Sequence, residues 1–195
     1  MVEHPVTIAV AERPYPGEPV SGDAWQVDWD GDICRIAVID GLGHGPQAAE
    51  AALAATTDLA ARPGRDPVAA VQSCHEALKG TRGAAMLVAC VDPGAAQLTI
   101  AGVGNVEAQL WQRGRAQHLM SDRGIVGSTL PRIRPIAVAL GADWLLLIYT
   151  DGIRNRFDLG AVRETAPDGR GCAEALLHGW SRPTDDVTVL VAQPR

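Results

Sequence analysis

A glycine-rich turn behind an apolar segment is the feature that most constrains this chain. Residues 36–39 are apolar, Asp40 follows them, and three glycines occur within residues 41–45. Pro46 then begins an alanine-rich segment, as proline commonly does in the first turn of a helix. We predict a buried strand, a tight turn and a helix, with Asp40 at the strand end, where a metal ion or phosphate can approach the backbone. For this fragment alone, the alternative is a strand-to-helix connection without a ligand.

Three further acidic turns lie next to strand-like segments. They contain Asp23, Asp151, and the pair Asp185 and Asp186. Asp23 stands just before an alternating segment that a short turn joins to the strand ending at Asp40. Because a hairpin returns its second strand to the start of the first, Asp23 is expected beside Asp40. These acids are the candidates for one shared site.

The order of the predicted elements is typical of an α+β fold with antiparallel sheets. Strands are expected at 6–11, 24–30, 33–39, 84–91, 97–103, 106–112, 116–120, 136–140, 144–149 and 187–192, and helices at 46–61, 67–79 and 171–180. We expect the strands between 84 and 120 to form one meander, 136–140 and 144–149 to pair, and 122–135 to be an irregular flap. No linker or repeat divides the 195 residues, so a single domain over 1–195 is predicted.

Composition excludes several classes of function. The net charge is -6 and no basic cluster is present, which argues against binding to nucleic acid or to an anionic membrane surface. The cysteines are scattered, at Cys34, Cys74, Cys90 and Cys172. Such spacing favours buried thiols in a reducing compartment over disulfides or zinc. No apolar run reaches the length of a membrane span and the first residues do not resemble a secretion signal, so a soluble cytoplasmic protein is expected.

Carboxylates gathered at strand ends require cations. Two of them about 5 Å apart repel each other by about 3 kcal/mol at an effective dielectric constant near 20. Because the candidate ligands are oxygens, without paired His or Cys, Mg²⁺ or Mn²⁺ fits better than zinc. Two such ions sharing Asp40 could activate water for attack on a phosphoryl group. This chemistry describes a hydrolase without a protein nucleophile.

Six short motifs occur in a recognisable order. They are Ser21-Gly22-Asp23, Asp40-Gly41-Leu42-Gly43-His44-Gly45, Arg82-Gly83-Ala84, Gly102-Val103-Gly104-Asn105, Thr150-Asp151-Gly152 and Asp185-Asp186-Val187-Thr188. Together they resemble the motifs of metal-dependent serine/threonine phosphatases of the 2C class. Within that class they are similar to the bacterial SpoIIE branch, and most of all to the stand-alone RsbX type. The resemblance extends from about residue 21 to 191, and no single motif would establish it.

The resemblance implies an α-β-β-α sandwich of two antiparallel sheets flanked by helices, with two Mn²⁺ or Mg²⁺ ions between the sheets. Asp40 matches the ligand that bridges the ions, and Gly41 the residue whose carbonyl oxygen binds the second ion. Asp151 and Asp185 match the remaining carboxylates of the first ion. Asp23 matches the acid that holds the second ion through water. Whether a third ion binds is left open.

Three other matches leave alternatives. Asp186 falls where relatives have Asn or Asp, and it ranks below Asp185 as a metal ligand. His44 stands where many relatives have a histidine that could protonate the leaving serine oxygen; the alternative is a turn histidine that faces solvent. The phosphate-binding arginine of eukaryotic relatives has only Arg13 as a match, at poor spacing. The metal ions alone could therefore hold the phosphate.

The resemblance implies a phosphoprotein phosphatase that hydrolyses phosphoserine or phosphothreonine with metal-activated water. A bacterial partner-switching pathway is the expected setting, and the expected substrate is a phosphorylated regulatory protein, either a STAS-type antagonist or a stressosome component. One alternative is a catalytically silent pseudophosphatase that only binds a phosphoprotein. That alternative would require a missing metal ligand, and none of the matched acids is missing. A second alternative is a phosphohydrolase of small molecules.

Overall fold

Two antiparallel sheets of five strands each form the centre of the computed structural model, which describes residues 3–195. In chain order the strands are β1 (Val6–Arg13), β2 (Asp23–Asp30), β3 (Ile33–Gly41), β4 (Ala84–Asp92), β5 (Gln97–Val103), β6 (Glu107–Gln112), β7 (Arg115–Leu119), β8 (Ile136–Ala139), β9 (Trp144–Tyr149) and β10 (Val187–Pro194). The helices are α1 (Pro46–Ala61), α2 (Pro67–Ala77), α3 (Leu159–Thr165) and α4 (Gly169–Trp180).

Helices cover the outer face of each sheet. Sheet A has the strand order β1-β10-β9-β6-β7, and sheet B has the order β2-β3-β4-β5-β8. All neighbouring strands are antiparallel. Helices α1 and α2 pack on sheet B, whereas α4 packs on β1 and β10 and α3 contacts β7. This arrangement confirms the predicted α+β fold, an α-β-β-α sandwich.

Strand β3 shows how both faces of sheet B become buried. Ile36 and Val38 belong to the apolar layer between the sheets, whereas Ala37 and Ile39 pack in the layer beneath the helices. The alternation follows the period of two in a strand. All four side chains are at most 1% exposed, which explains why this segment is apolar without interruption. The small alanines of α1 let the helix lie close against the sheet.

Two predicted strand pairings are wrong. β4 pairs with β5 in sheet B and β6 pairs with β7 in sheet A, so the chain crosses between the sheets and the expected meander is divided. β8 lies beside β5, and β9 lies between β10 and β6, so 136–140 does not pair with 144–149. Both segments nevertheless contribute to the same apolar layer between the sheets. Their patterns specify an apolar face but not the sheet that each strand joins.

The short helix α3 is missing from the sequence-based prediction. It has seven residues and begins after Asp158, whose side chain accepts hydrogen bonds from the backbone N–H groups of Gly160 and Ala161. A single N-cap residue gives a weak signal when no long apolar repeat follows it. Tertiary packing against sheet A therefore decides that this segment is helical.

The cysteines behave as predicted. All four are buried thiols without a disulfide. Burial raises the pKa of the Cys34 thiol to about 12 and that of Cys90 to about 11, so both remain protonated at neutral pH. Among the helices of residues 3–195, none combines the length and the apolar character that crossing a membrane requires.

The flap, residues 122–135, contains isolated bridges and no helix, as predicted. Its buried Val126 forms an antiparallel bridge with Ala84 at the start of β4. The backbone N–H of Gly127 donates a hydrogen bond to Nδ1 of His75 in α2. The flap is thus fixed to sheet B and to its helix layer, although it has no regular structure of its own.

Arg35 joins sheet B to the end of α1. It is 4% exposed, and its guanidinium donates to Oδ2 of Asp28 and to the carbonyl oxygens of Leu59 and Arg62. These carbonyls belong to the last turn of α1 and the residue after it, where backbone partners run out; the Leu59 oxygen also accepts from the backbone N–H of Arg62. One buried cation therefore satisfies both a carboxylate and the C-terminus of a helix.

Arg35→Met is expected to lower the free energy of unfolding by about 2–4 kcal/mol, because it leaves Oδ2 of Asp28 and the carbonyl oxygen of Arg62 without the donor they have in the wild type. Urea unfolding followed by circular dichroism measures this difference. Arg65→Met is the matched control, since Arg65 makes an exposed ion pair with Asp30 and should leave the midpoint unchanged. Equal midpoints for the wild type and Arg35→Met would contradict this role.

Candidate active site

Asp23 and Asp40 are direct cross-strand partners at one end of sheet B. Asp23 begins β2 and Asp40 is the last residue but one of β3, so the hairpin brings them together as predicted. Opposed residues of antiparallel strands have Cβ atoms about 5 Å apart, which is close for two carboxylates. At Gly41 a Cβ would overlap the carbonyl oxygen of Ala48 in α1. The approach of the turn to the helix therefore requires glycine at this position.

A cavity of about 590 Å³ opens beside Asp40. Asp40, Asp151 and Asp185 line it, and they come from three turns that are distant in the sequence. His44 also belongs to the lining. Asp23 lies behind Asp40, as its cross-strand partner, rather than in the lining itself. The fold therefore brings most of the predicted site residues to one place.

Neutral side chains hold two of these acids. Oγ1 of Thr150 donates a hydrogen bond of 2.7 Å to Oδ2 of Asp23, and the backbone N–H of Thr188 donates to the same Thr150 oxygen. Nδ2 of Asn105 donates a hydrogen bond of 2.6 Å to Oδ2 of Asp151. These contacts link the end of β9 to β2 and to the turn after β5. They orient the carboxylates without neutralising their charge.

Asp186 differs from the other predicted metal ligands. Its Oδ1 accepts hydrogen bonds from the backbone N–H of Tyr15 and from Oγ of Ser21. It is 3% exposed and does not line the cavity, unlike Asp185. Its Oδ2 is buried and has no hydrogen-bond partner among residues 3–195. Oδ1 of Asp186 therefore fixes the loop after β1, whereas its Oδ2 is still able to accept a hydrogen bond or to bind a cation.

Burial and mutual repulsion oppose the ionisation of these acids. Burial, with a further contribution from the nearby carboxylates of Asp23, Asp151 and Asp185, raises the pKa of Asp40 to about 9 in all. Burial is also the main cause that raises the pKa of Asp23; after the opposing effect of the hydrogen bond from Thr150, that pKa is about 7. The pKa of Asp185 rises through burial and the charge of Asp151. Without a cation, the site therefore retains protons that ordinary carboxyl groups would lose.

The donor set fits a hard divalent cation. Its members are carboxylate oxygens, the ligands that Mg²⁺ and Mn²⁺ prefer, and the unused Oδ2 of Asp186 adds a further acceptor. Among residues 3–195, no three His, Cys, Asp or Glu side chains are already grouped closely enough to ligate one ion. Binding therefore requires the carboxylates to rotate toward one another, which the attraction of a cation would favour.

His44 is held by two contacts from the loop after β1. Its Nδ1 lies 2.9 Å from Oε1 of Glu18. Its ring stacks on that of Tyr15, with the centroids 4.2 Å apart. The imidazole is thus oriented beside the cavity and is not a freely rotating turn histidine.

Arg13 does not reach the cavity. Its guanidinium donates to the carbonyl oxygen of Arg182 and to Oγ of Ser181, which fixes it at the start of the segment before β10. Arg123 of the flap lines the cavity instead. It is the cavity-lining residue with a permanent positive charge, so it meets the requirement for a phosphate-binding group that Arg13 does not.

Sequence reasoning missed Arg123, Glu18 and Tyr15 as parts of the site. Glu18 and Tyr15 lie in a loop with three prolines, and Arg123 lies in the flap, so neither region has a periodicity that reveals what its side chains face. In the sequence, Asn105 stands out only as the last residue of the motif Gly102-Val103-Gly104-Asn105. Its position in the turn after β5, next to Gly104, is the feature that could have identified it as a site residue, because turn residues next to strand ends often position catalytic groups.

Comparisons with known proteins agree with this geometry. The family model for Stage II sporulation protein E (SpoIIE) matches residues 30–195. The phosphoserine phosphatase RsbX of Bacillus subtilis (strain 168) is 23% identical over 178 residues, which cover 91% of this chain and 89% of RsbX. A crystal structure of RsbX in complex with magnesium has a TM-score of 0.89 at 21% identity, and covers 100% of this chain and 98% of that chain.

Two further solved structures are similar. One comes from work on "the bacterial stressosome: a modular system that has been adapted to control secondary messenger signaling". It has a TM-score of 0.89 at 28% identity, and covers 96% of this chain and 98% of that chain. The other contains the PP2C phosphatase domain of SpoIIE from Bacillus subtilis, with a TM-score of 0.77 at 20% identity over 96% of this chain and 63% of that chain.

The two packed sheets, with the acidic cavity at their ends, have the fold of protein phosphatase 2C domains. Because the family model matches most of its length, the chain belongs to the SpoIIE family. The predicted family and fold are thus confirmed. The comparisons also support the predicted metal-dependent phosphatase over the pseudophosphatase alternative.

We expect the metal-free protein to lose stability as the pH rises. In the folded protein the pKa of Asp40 is raised to about 9 and that of Asp23 to about 7, whereas a free aspartate side chain has a pKa of about 4. Between these values the folded state binds more protons than the unfolded state, so the free energy of unfolding falls with increasing pH. Urea unfolding in EDTA should show a decrease of at least about 2 kcal/mol between about pH 5 and about pH 8.

Asp40→Asn removes the carboxyl group whose pKa is raised most. This variant should therefore show a flatter dependence of the free energy of unfolding on pH. Asp143→Asn is the matched control, because Asp143 is an exposed acid whose ion pair with Arg163 lies outside the cavity. That control should keep the wild-type slope. A wild type whose stability rises over the same pH range would contradict the pKa directions.

Proposed function

We propose that this protein removes phosphate from phosphoserine or phosphothreonine of a regulatory protein, using two divalent cations, Mn²⁺ or Mg²⁺. The main supporting observation is that acids from separate turns, Asp40, Asp151 and Asp185, line one cavity in a family of phosphatases. In this proposal residues 1–195 form a single catalytic domain, of which residues 1 and 2 lie outside the described part.

The proposed ligand set follows the position of each acid. Asp40 would serve both ions, and the Gly41 carbonyl oxygen would help to hold the second. Asp151 and Asp185 would supply the remaining carboxylates for the first ion, and Asp23 would help to hold the second through water. Asp186 is a weaker candidate because one of its oxygens already accepts two hydrogen bonds, although its free Oδ2 leaves a role open at these ions or at a third.

Divalent cations held by these residues would supply an activated water and would offset the charge of the phosphoryl oxygens. The chain's own residues bind and orient the substrate. Arg123 lines the cavity and donates to phosphate oxygens as a planar, permanently charged group. His44 borders the same cavity and protonates the leaving serine or threonine oxygen. Asn105 keeps the Asp151 carboxylate in place through its hydrogen bond.

The proposed partner is a phosphorylated regulator in a partner-switching pathway, either a STAS-type antagonist or a stressosome component. Support comes from the similarity to RsbX and to a chain from work on the bacterial stressosome. A cytoplasmic location is part of the proposal, because the four cysteines are buried free thiols. A small-molecule substrate is less well supported, since the relative with the matching sequence is a phosphoserine phosphatase.

Hydrolysis of p-nitrophenyl phosphate and of a phosphorylated STAS-type protein is expected only with added Mn²⁺ or Mg²⁺. Asp40→Asn should lower kcat by about 1,000-fold or more, because the bridging ligand is lost while the fold remains intact. Asp143→Asn, an exposed acid remote from the cavity, should keep wild-type turnover. Full turnover in Asp40→Asn, or full activity in EDTA, would disprove metal-dependent catalysis at this site.

Arg123→Ala is expected to raise KM for a phosphopeptide by about 10- to 100-fold, the loss that follows when a charged hydrogen-bond donor to the phosphate is removed. Arg132→Ala is the matched control, because Arg132 is an exposed arginine of the same flap that does not line the cavity. Steady-state kinetics with both variants separate a specific contact from a general effect of charge. Equal changes in KM for the two variants would contradict a direct role for Arg123.

A further inference from the structure

We infer that Glu18 is a positioning residue, which accepts the Nδ1–H of His44 and so directs Nε2 of His44 toward the leaving oxygen of the substrate. This inference rests on the proposed function and adds a residue to it. Glu18 lies outside the six motifs, in the loop between β1 and β2. Its role follows from two contacts that hold His44 and from a recess at Gly45 that admits the Glu18 carboxylate.

The first contact fixes the imidazole at one edge. Oε1 of Glu18 lies 2.9 Å from Nδ1 of His44, a normal distance for a charge-assisted hydrogen bond. The two ring nitrogens are distinct, and a carboxylate at Nδ1 makes that nitrogen the donor. Because His44 also lines the cavity, Nε2 is the nitrogen left for the substrate.

The second contact fixes the plane of the ring. The rings of Tyr15 and His44 stack at an interplanar angle of 15°. Rotation of the imidazole about χ1 would break both this stacking and the hydrogen bond to Glu18. The pair therefore holds one orientation of His44, as orienting groups do in nucleophile and base arrangements of other enzymes.

The third feature is a recess that admits Glu18. Gly45 has φ +72°, and a Cβ there would lie within 3 Å of both carboxylate oxygens of Glu18. The missing side chain thus leaves room for the carboxylate beside the catalytic turn. The backbone N–H of Glu18 donates to the carbonyl oxygen of Tyr15, and the N–H of Tyr15 donates to Asp186. Glu18 is therefore fixed through its own loop to the start of β10.

In the proposed reaction, one proton passes from His44 to the leaving oxygen and one from the attacking water to solvent. Water forms the new bond to phosphorus and releases its proton to solvent, while the bond between phosphorus and the serine oxygen breaks. The electron pair of that bond goes to the serine oxygen, which takes the Nε2 proton of the His44 imidazolium. The Nδ1 proton remains in the hydrogen bond to Glu18. His44 regains its proton from solvent, because its side chain is 51% exposed.

Measurements of kcat on two substrates distinguish a positioning role of Glu18 from a role in supporting the loop alone. A serine alkoxide is a poor leaving group and needs a proton, whereas the phenolate of p-nitrophenyl phosphate leaves well without one. Glu18→Ala should lower kcat on a phosphoserine peptide by about 10- to 100-fold, with a clearly smaller loss on p-nitrophenyl phosphate. His44→Ala should show the same preference with a larger loss.

Two further variants sharpen the test. Glu18→Gln keeps an oxygen that accepts from Nδ1 but removes the charge, so its kcat on the phosphoserine peptide should fall between those of the wild type and Glu18→Ala. The double variant Glu18→Ala/His44→Ala should be no slower than His44→Ala alone, because Glu18 acts through His44.

Glu12→Ala is the matched control. Glu12 accepts a hydrogen bond from Trp25 outside the cavity, so this variant should keep wild-type kinetics on both substrates.

Equal losses on both substrates in Glu18→Ala would overturn the inference, because they would show that the pair only fastens the loop. Additive losses in the double variant would overturn it as well. Wild-type turnover of both substrates tests the proposed function separately. A wild type that hydrolyses both, combined with a Glu18→Ala variant that has no substrate preference, refutes the positioning role and leaves the phosphatase intact.

Discussion

Repulsion between carboxylates at the ends of the strands is the constraint on which this site depends. The pairing of β2 with β3 places Asp23 opposite Asp40, and the sandwich adds Asp151, just after β9, and Asp185, just before β10, from the other sheet. Burial and mutual charge raise the pKa of both Asp23 and Asp40 well above the usual range. Such an arrangement costs stability in the absence of cations, and that cost is the source of its affinity for them.

The surrounding structure holds the acids against this repulsion. Thr150 and Asn105 donate hydrogen bonds that orient two of the carboxylates, and Gly41 lets the turn lie against α1. Asp186 fastens the loop after β1, and through that loop Glu18 reaches His44. Asp186, a proposed metal ligand, and His44, the proposed proton donor, are therefore both held by this loop, so a change in the loop would affect both.

Much of this site could be predicted because its acids stand at strand ends, where an apolar run stops at a charged residue. The bounds of α1 were predicted for a similar reason, since Pro46 marks its beginning. The partners of β8 and β9 could not be predicted, because an apolar face fits either sheet. Arg123 and Glu18 were missed because irregular loops have no period that shows what their side chains face. Asp186 was grouped with the ligands by motif, yet folding gives one of its oxygens to Tyr15 and Ser21.

The central claim is that these carboxylates close around paired divalent cations. Crystals soaked in Mn²⁺ and measured at the manganese absorption edge test it most directly, because anomalous scattering locates the ions without reference to activity. Two peaks are expected in the cavity, with Asp40 bound to both, and with Asp151 and Asp185 rotated toward the first. A difference map without a peak among these carboxylates, at Mn²⁺ concentrations that support turnover, would contradict the claim.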